Sequence, residues 1–229
     1  MFVIGGIQKT TLTDFPEKVA AIVFTQGCNF RCGYCHNPEL LNFSNKECYS
    51  NSDFIDFLKT RQNKLDGVVI TGGEPTLQTG LYDFIKDIKS LGFAVKLDTN
   101  GTNPDILKKL INENLLDYIA MDIKAPLEKY SQIVNVKVDI SKVKQSINLI
   151  KENKVGYEFR TTVLKSQLSH SDFEKIGALI NGAERYYLQK FVPSKIYDKN
   201  LQNETTYSNS EFDEICSYLK KYVKTVSYR

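Results

Sequence analysis

No stretch of the sequence approaches the run of about 18 apolar residues that a membrane span needs. The opening Met1-Phe2-Val3-Ile4-Gly5-Gly6 lacks the basic start, the apolar run and the cleavage site of an export signal. Both absences predict a cytoplasmic chain whose thiols stay reduced. Net charge is scarce as well. The formal value is +3, with Lys and Arg interspersed among Asp and Glu, so the concentrated basic stripe of a nucleic-acid binder is missing. There is no internal repeat, no low-complexity tract and no tryptophan. What remains is an ordinary globular composition, read as one domain over residues 1–229. Cysteine is the exception: five are present, three of them crowded between Cys28 and Cys35. An odd number so clustered is no disulfide framework, and in a reducing compartment it favours metal binding or redox chemistry.

Short β-branched runs followed by polar or Gly-rich residues predict strands at 20–25, 67–71, 93–98, 118–123, 157–163 and 185–191. Helical periodicity lies between them. One helix carries Phe54, Ile55, Phe57 and Leu58 after Ser52-Asp53; another carries Leu81, Phe84, Ile85 and Ile88 and stops at Gly92; a third follows Asn103-Pro104. Two more carry Val143, Ile147 and Ile150, then Phe173, Ile176 and Ile180, with His170 at the latter's cap. A last helix at 211–223 and a strand-like 225–228 close the chain, and the polar stretch 195–210 reads as an exposed loop. Alternation of strand and helix means right-handed crossovers and a parallel sheet. Six units are too few for a closed eight-fold barrel, so an α/β partial barrel, open on one side, is expected.

Side chains alternate across a strand. Lys96 and Asp98 share one parity, as do Asp122 and Lys124, and Glu158, Arg160 and Thr162; apolar residues hold the other. With helices only outside, the charged parity points inward. The interior is then either a salt-bridge lattice or a polar cavity for a zwitterionic ligand.

Gly27-Cys28-Asn29-Phe30-Arg31-Cys32-Gly33-Tyr34-Cys35-His36-Asn37 follows the first of these strands, at the sheet edge where ligands sit. Thiolates at spacings of four and three suit three irons of a cubane cluster and leave one iron without a protein ligand, an open position that chemistry requires. Other readings compete. Cys32-Gly33-Tyr34-Cys35-His36 matches the haem-attachment pattern but expects export. Zinc would strain adjacent Cys35 and His36, and a thioredoxin-like pair leaves Cys28 idle. Cys48 and Cys216 stand alone and read as buried small hydrophobes.

The C-x-x-x-C-x-x-C triad resembles the signature of radical S-adenosylmethionine (SAM) enzymes, and residues 25–41, with His36-Asn37 after the triad, resemble their activating-enzyme branch. Gly6-Ile7-Gln8-Lys9-Thr10-Thr11-Leu12-Thr13-Asp14-Phe15-Pro16 is similar to the opening of anaerobic ribonucleoside-triphosphate reductase activating proteins. The likeness is strongest up to Lys124. It implies a [4Fe-4S] cluster on Cys28, Cys32 and Cys35 that cleaves SAM reductively to methionine and a 5′-deoxyadenosyl radical. That radical would take a hydrogen from a glycine of a glycyl-radical partner, anaerobic ribonucleotide reductase, with reduced flavodoxin or ferredoxin as electron donor. Thr71-Gly72-Gly73-Glu74-Pro75 resembles the motif that receives SAM's amino group: the glycines bare their carbonyls and Glu74 adds an acceptor.

The resemblance further implies Asn37 in the SAM site, Asp122 and Lys124 at the carboxylate and ribose, and a monovalent cation near Asp98 and Thr99. Arg160 is either a carboxylate ligand or the partner of Glu158, and Tyr34 and Phe191 are candidates for an adenine slot. No further cysteine block separates Leu41 from Gly67, so one cluster is expected, and the sixth predicted strand lacks the histidine that some relatives carry. Segment 195–210 and the open barrel side are expected to face the partner. Two other functions compete: a small-molecule radical SAM enzyme such as a 7-carboxy-7-deazaguanine synthase, and a plain iron–sulfur electron carrier.

Overall fold

The computed structural model describes residues 2–43 and 49–229; Cys48 lies outside the described residues. The elements run β1 (Ile4–Thr11), β2 (Ala20–Thr25), α1 (Asn51–Lys59), β3 (Gly67–Gly72), α2 (Leu81–Ser90), β4 (Ala94–Thr99), α3 (Pro104–Asn112), β5 (Tyr118–Asp122), α4 (Tyr130–Ile133), α5 (Ile140–Glu152), β6 (Gly156–Val163), α6 (His170–Leu179), β7 (Arg185–Lys190), α7 (Asn209–Leu219) and β8 (Thr225–Tyr228). All eight strands form one sheet in sequence order, β2 to β8 parallel and β1 antiparallel to β2. Sequential order with crossovers of one hand gathers the helices on one face and curls the sheet, giving the expected partial barrel.

Register explains the two faces. Val23, Ile70, Leu97, Ile119 and Tyr157 lie in one row across the sheet and join the large core packed under the helices. The opposite parity lines the concave side and is layered. At the N-terminal strand ends, Ile22, Val69 and Tyr118 pack with Phe15 into a small apolar cluster; Lys96 stands level with them, and Asp98, Asp122 and Arg160 lie above.

Helix boundaries follow their caps. The side chain of Ser50, not Ser52 or Asp53, accepts the Asp53 N–H and starts α1. Pro104 opens α3. Ser169 and Asp172 form a capping box at α6, which places His170 just inside the cap. Cys216 is buried on α7, as its isolation predicts.

Two segments differ from expectation. Residues Ile4–Thr11, where the sequence predicts no strand, form the edge strand β1, and the turn that follows delivers Phe15, 2% exposed, into the barrel floor. The sequence signal was weak because Gly5, Gly6 and two register shifts interrupt the alternation. Segment 195–210 is mostly exposed and irregular, as expected, yet it is not free. It contains a short 3-10 turn at Lys199–Asn203 and is tied to the cysteine loop by backbone bonds that no periodicity forecasts.

Candidate active site

The cysteine loop leaves β2 at the C-terminal edge of the sheet and is held on every side. Gly27 and Cys28 N–H donate to the Leu40 and Leu41 carbonyls at 2.8 and 3.1 Å. Asn29 bonds Thr102 and Asn100 after β4, at 2.9 and 2.8 Å. Arg31 N–H donates to Val134 O at 2.9 Å, while its guanidinium returns to the Cys28 and Phe30 carbonyls. From the segment after β7, Tyr197 and Asp198 N–H donate to the Cys35 and Gly33 carbonyls at 3.0 and 2.9 Å. A Cβ on Gly33 would come within 2.8 Å of Leu201, so this strap lies directly on the loop.

Against the other flank sits the turn after β3. Gly73 N–H donates to Thr25 O at 2.9 Å and Glu74 N–H to Gly27 O at 2.8 Å. Gly72 has φ +111° and its absent Cβ would fall 2.4 Å from Thr25 N; a Cβ on Gly73 would fall 2.2 Å from Gly27 O. Two glycines are required because two backbones touch.

These loops and the charged strand ends line a cavity of about 200 Å³. Cys28, Cys32, Tyr34, Cys35, Asn37, Gly72, Gly73, Glu74, Asp98, Asp122, Lys124 and Arg160 all line it. So do Phe30, His36, Asn100 and Thr162, which sequence reasoning left out. His36 directly follows the triad, and its ring stacks on Phe191 with centroids 6.2 Å apart. Phe191 itself is 3% exposed and outside the lining, which corrects its reading as an adenine wall.

The interior charges pair with one another. Arg160 Nε reaches Asp122 at 2.9 Å and its Nη1 reaches Asp98 at 3.1 Å; Lys124 Nζ reaches Asp122 at 2.9 Å; Lys96 pairs with Asp98. Glu158 is not Arg160's partner: it pairs with Arg229 at 2.7 Å and accepts from Tyr118 at 3.1 Å. Lattice and cavity are thus the same structure. Burial opposes charge on Asp98 and Asp122, but Arg160 with Lys96 or Lys124 outweighs it and holds both below the usual carboxylate range. The expected cation near Asp98 and Thr99 finds its donors engaged, Asp98 by Lys96 and Arg160 and Thr99 Oγ by Glu74. A metal ion there would have to displace a lysine or a guanidinium.

Glu74, 1% exposed, accepts from Thr76 N–H, Thr76 and Thr99 hydroxyls at Oε1 and from Asn100 N–H at Oε2. One lone pair of Oε2 is left. Burial nevertheless raises its pKa above the ordinary value, against those hydrogen bonds.

Burial also raises all three thiols, Cys28 to about 12, with the Lys124 ammonium opposing in each case. No disulfide joins them. Among the described residues no three His, Cys, Asp or Glu side chains converge on a point that one ion could occupy. Three thiols around one cavity wall instead fit a multi-iron group, in which each thiolate meets a different iron.

Among the described residues no helix is long and apolar enough to cross a membrane. Residues 22–180 match the Radical SAM superfamily. A Methanocaldococcus jannaschii protein named as a glycyl-radical enzyme activating enzyme is 33% identical over 236 residues, 99% of this chain and 95% of its own. The 7-carboxy-7-deazaguanine synthase of Aquifex aeolicus is 42% identical over 77 residues, 34% of each chain. Among solved structures, QueE of Escherichia coli shares the fold with a TM-score of 0.58 at 17% identity, over 100% of this chain and 94% of that one. The chain belongs to the radical SAM superfamily, whose members use a [4Fe-4S] cluster and SAM, and it is an enzyme of the glycyl-radical-enzyme activating kind.

Proposed function

We propose that Cys28, Cys32 and Cys35 hold the cluster, that SAM lies in the adjoining cavity, and that the enzyme installs a glycyl radical on anaerobic ribonucleoside-triphosphate reductase. The observation that carries the reading is the backbone contact between the cysteine loop and the Gly72-Gly73-Glu74 turn. It sets an open iron position beside carbonyl acceptors. Bound there, the cluster supplies the electron that breaks a carbon–sulfur bond of SAM.

The chain's own residues do the rest. The Gly72 and Gly73 carbonyls and the remaining lone pair of Glu74 receive the amino group. In the lattice, Lys96, Lys124 and Arg160 meet only Asp98 and Asp122, leaving one positive charge for the carboxylate, with Lys124 nearest the thiols. Tyr34 and Asn37 wall the site beside the cluster, and burial excludes water. Reduced flavodoxin or ferredoxin is the proposed donor in the cytoplasm.

The test is anaerobic mixing of the reconstituted protein with the reductase, SAM and a reductant. A glycine-centred EPR doublet is expected, lost when the partner's radical glycine is changed to alanine or when Cys28, Cys32 or Cys35 is changed to alanine. Cys216→Ala keeps the cluster, since its thiol is buried on α7 away from the cavity. The likeness to a 7-carboxy-7-deazaguanine synthase favours a second reading, a small-molecule enzyme. SAM consumption driven by a purine-like metabolite, with no doublet, would establish it instead.

A further inference from the structure

Each thiol of the cysteine loop is faced by the residue two positions on. Phe30 N–H donates to Cys28 Sγ at 3.4 Å, and Asn37 N–H plays the same part for Cys35. For Cys32 the donor is a side chain. The Tyr34 phenol lines the same cavity wall as Cys32 yet forms no hydrogen bond: its oxygen is buried and has no partner. Tyr34 is 3% exposed and has the Lys124 ammonium 5.8 Å from its ring centre. Buried hydroxyls without a partner are rare and point to a group that arrives later.

We infer that the Tyr34 hydroxyl donates a hydrogen bond to the Cys32 sulfur once that sulfur is a cluster ligand, and thereby sets the cluster's reduction potential. The inference rests on the proposed ligation by Cys32. A thiolate on iron is a stronger acceptor than the free thiol, so the bond forms when the ligand is charged. Donors to ligand sulfur stabilise the more negative, reduced cluster and raise its potential. Two of the three sulfurs receive fixed backbone N–H groups; the third receives a phenol, the one donor of the set that substitution can remove.

The experiment uses the full chain, anaerobically reconstituted, as wild type and Tyr34→Phe, which removes one oxygen and keeps the ring. EPR-monitored redox titration is expected to move the midpoint potential to a more negative value in the variant at equal iron per chain. An exchangeable deuteron coupled to the reduced cluster by ENDOR in D2O should disappear with it. Replacing Tyr34 by 3-fluorotyrosine, a stronger donor, should move the potential the opposite way and guards against a variant that loads poorly. Equal potentials in the loaded proteins would overturn the inference, as would a loss of SAM affinity at unchanged potential, which would assign the hydroxyl to SAM. Absence of iron from the wild type would sink the proposed ligation itself, a distinguishable failure.

Discussion

Gly73→Ala is the most demanding test of how the two loops are joined. The new Cβ would fall 2.2 Å from Gly27 O, 2.7 Å from Gly27 C and 3.1 Å from Leu40 O. All three are backbone atoms, so no rotamer change relieves them, and the turn must retreat from the cysteine loop by about one ångström to reach ordinary contact. Overpacking of that kind costs about 1–3 kcal/mol. The retreat also breaks the 2.8 Å bond from Glu74 N–H to Gly27 O, about 1 kcal/mol more. The expected total, about 2–4 kcal/mol, is a lowered urea midpoint at unchanged slope in the reduced, metal-free protein. Iron loading and SAM affinity should fall with it, because the acceptors and Cys28 move apart. Gly6→Ala is the control: its nearest neighbour would be the Phe24 ring at an ordinary 3.5 Å. If Gly73→Ala unfolds at the midpoint of the control and loads full iron, the backbone contact is not what assembles the site.

Arg160→Met leaves Asp98 and Asp122, both half-buried, with one lysine each and should cost about 1–3 kcal/mol in urea unfolding. Because the folded pKa values of Asp98 and Asp122 are depressed, their stabilisation is present above about pH 4 and is lost as pH falls through the folded values; an acid titration followed by circular dichroism should show this limb. Glu74 has the opposite sign. Its raised pKa means a contribution that declines as pH rises from about 4.3 through the folded value, so Glu74→Gln should flatten that side of the stability profile and leave the acid limb in place. Phe15→Ala should destabilise by about 3–5 kcal/mol by emptying the barrel floor, while the remaining folded protein still takes up iron; loss of iron at unchanged stability would refute the assignment of Phe15 to the floor.

How much of this was legible follows from the range of each signal. Strand periodicity is local, and the parallel strands were found within a few residues, as was the inward parity of Lys96, Asp98, Asp122, Lys124 and Arg160. The cysteine loop and the glycine turn were legible because their spacing is itself the chemistry. β1 was missed because Gly5, Gly6 and two register shifts blur alternation over only eight residues. The strap at Tyr197 and Asp198 was missed because it docks through backbone N–H groups, which every residue but proline carries and which leave no mark in the sequence.

Pairing inside the barrel shows the same limit more sharply. Parity says that Glu158 and Arg160 share a face, and proximity in sequence suggests that they pair. Register decides otherwise. Arg160 stands level with Asp122 on β5, whereas Glu158 stands level with Ala120, one layer nearer the floor. The guanidinium spans Asp122 at its own level and reaches down, one strand further, to Asp98, which stands level with Glu158, while Glu158 turns to Tyr118 and Arg229. Which charges neutralise each other is fixed by where each crossover sets its next strand down, a property of the helices outside and not of the strands that carry the charge. The same register leaves Lys124 at the rim beside the thiols, with Asp122 as its one acidic partner. It is the lattice cation that a ligand carboxylate could share without breaking the Arg160 bridge.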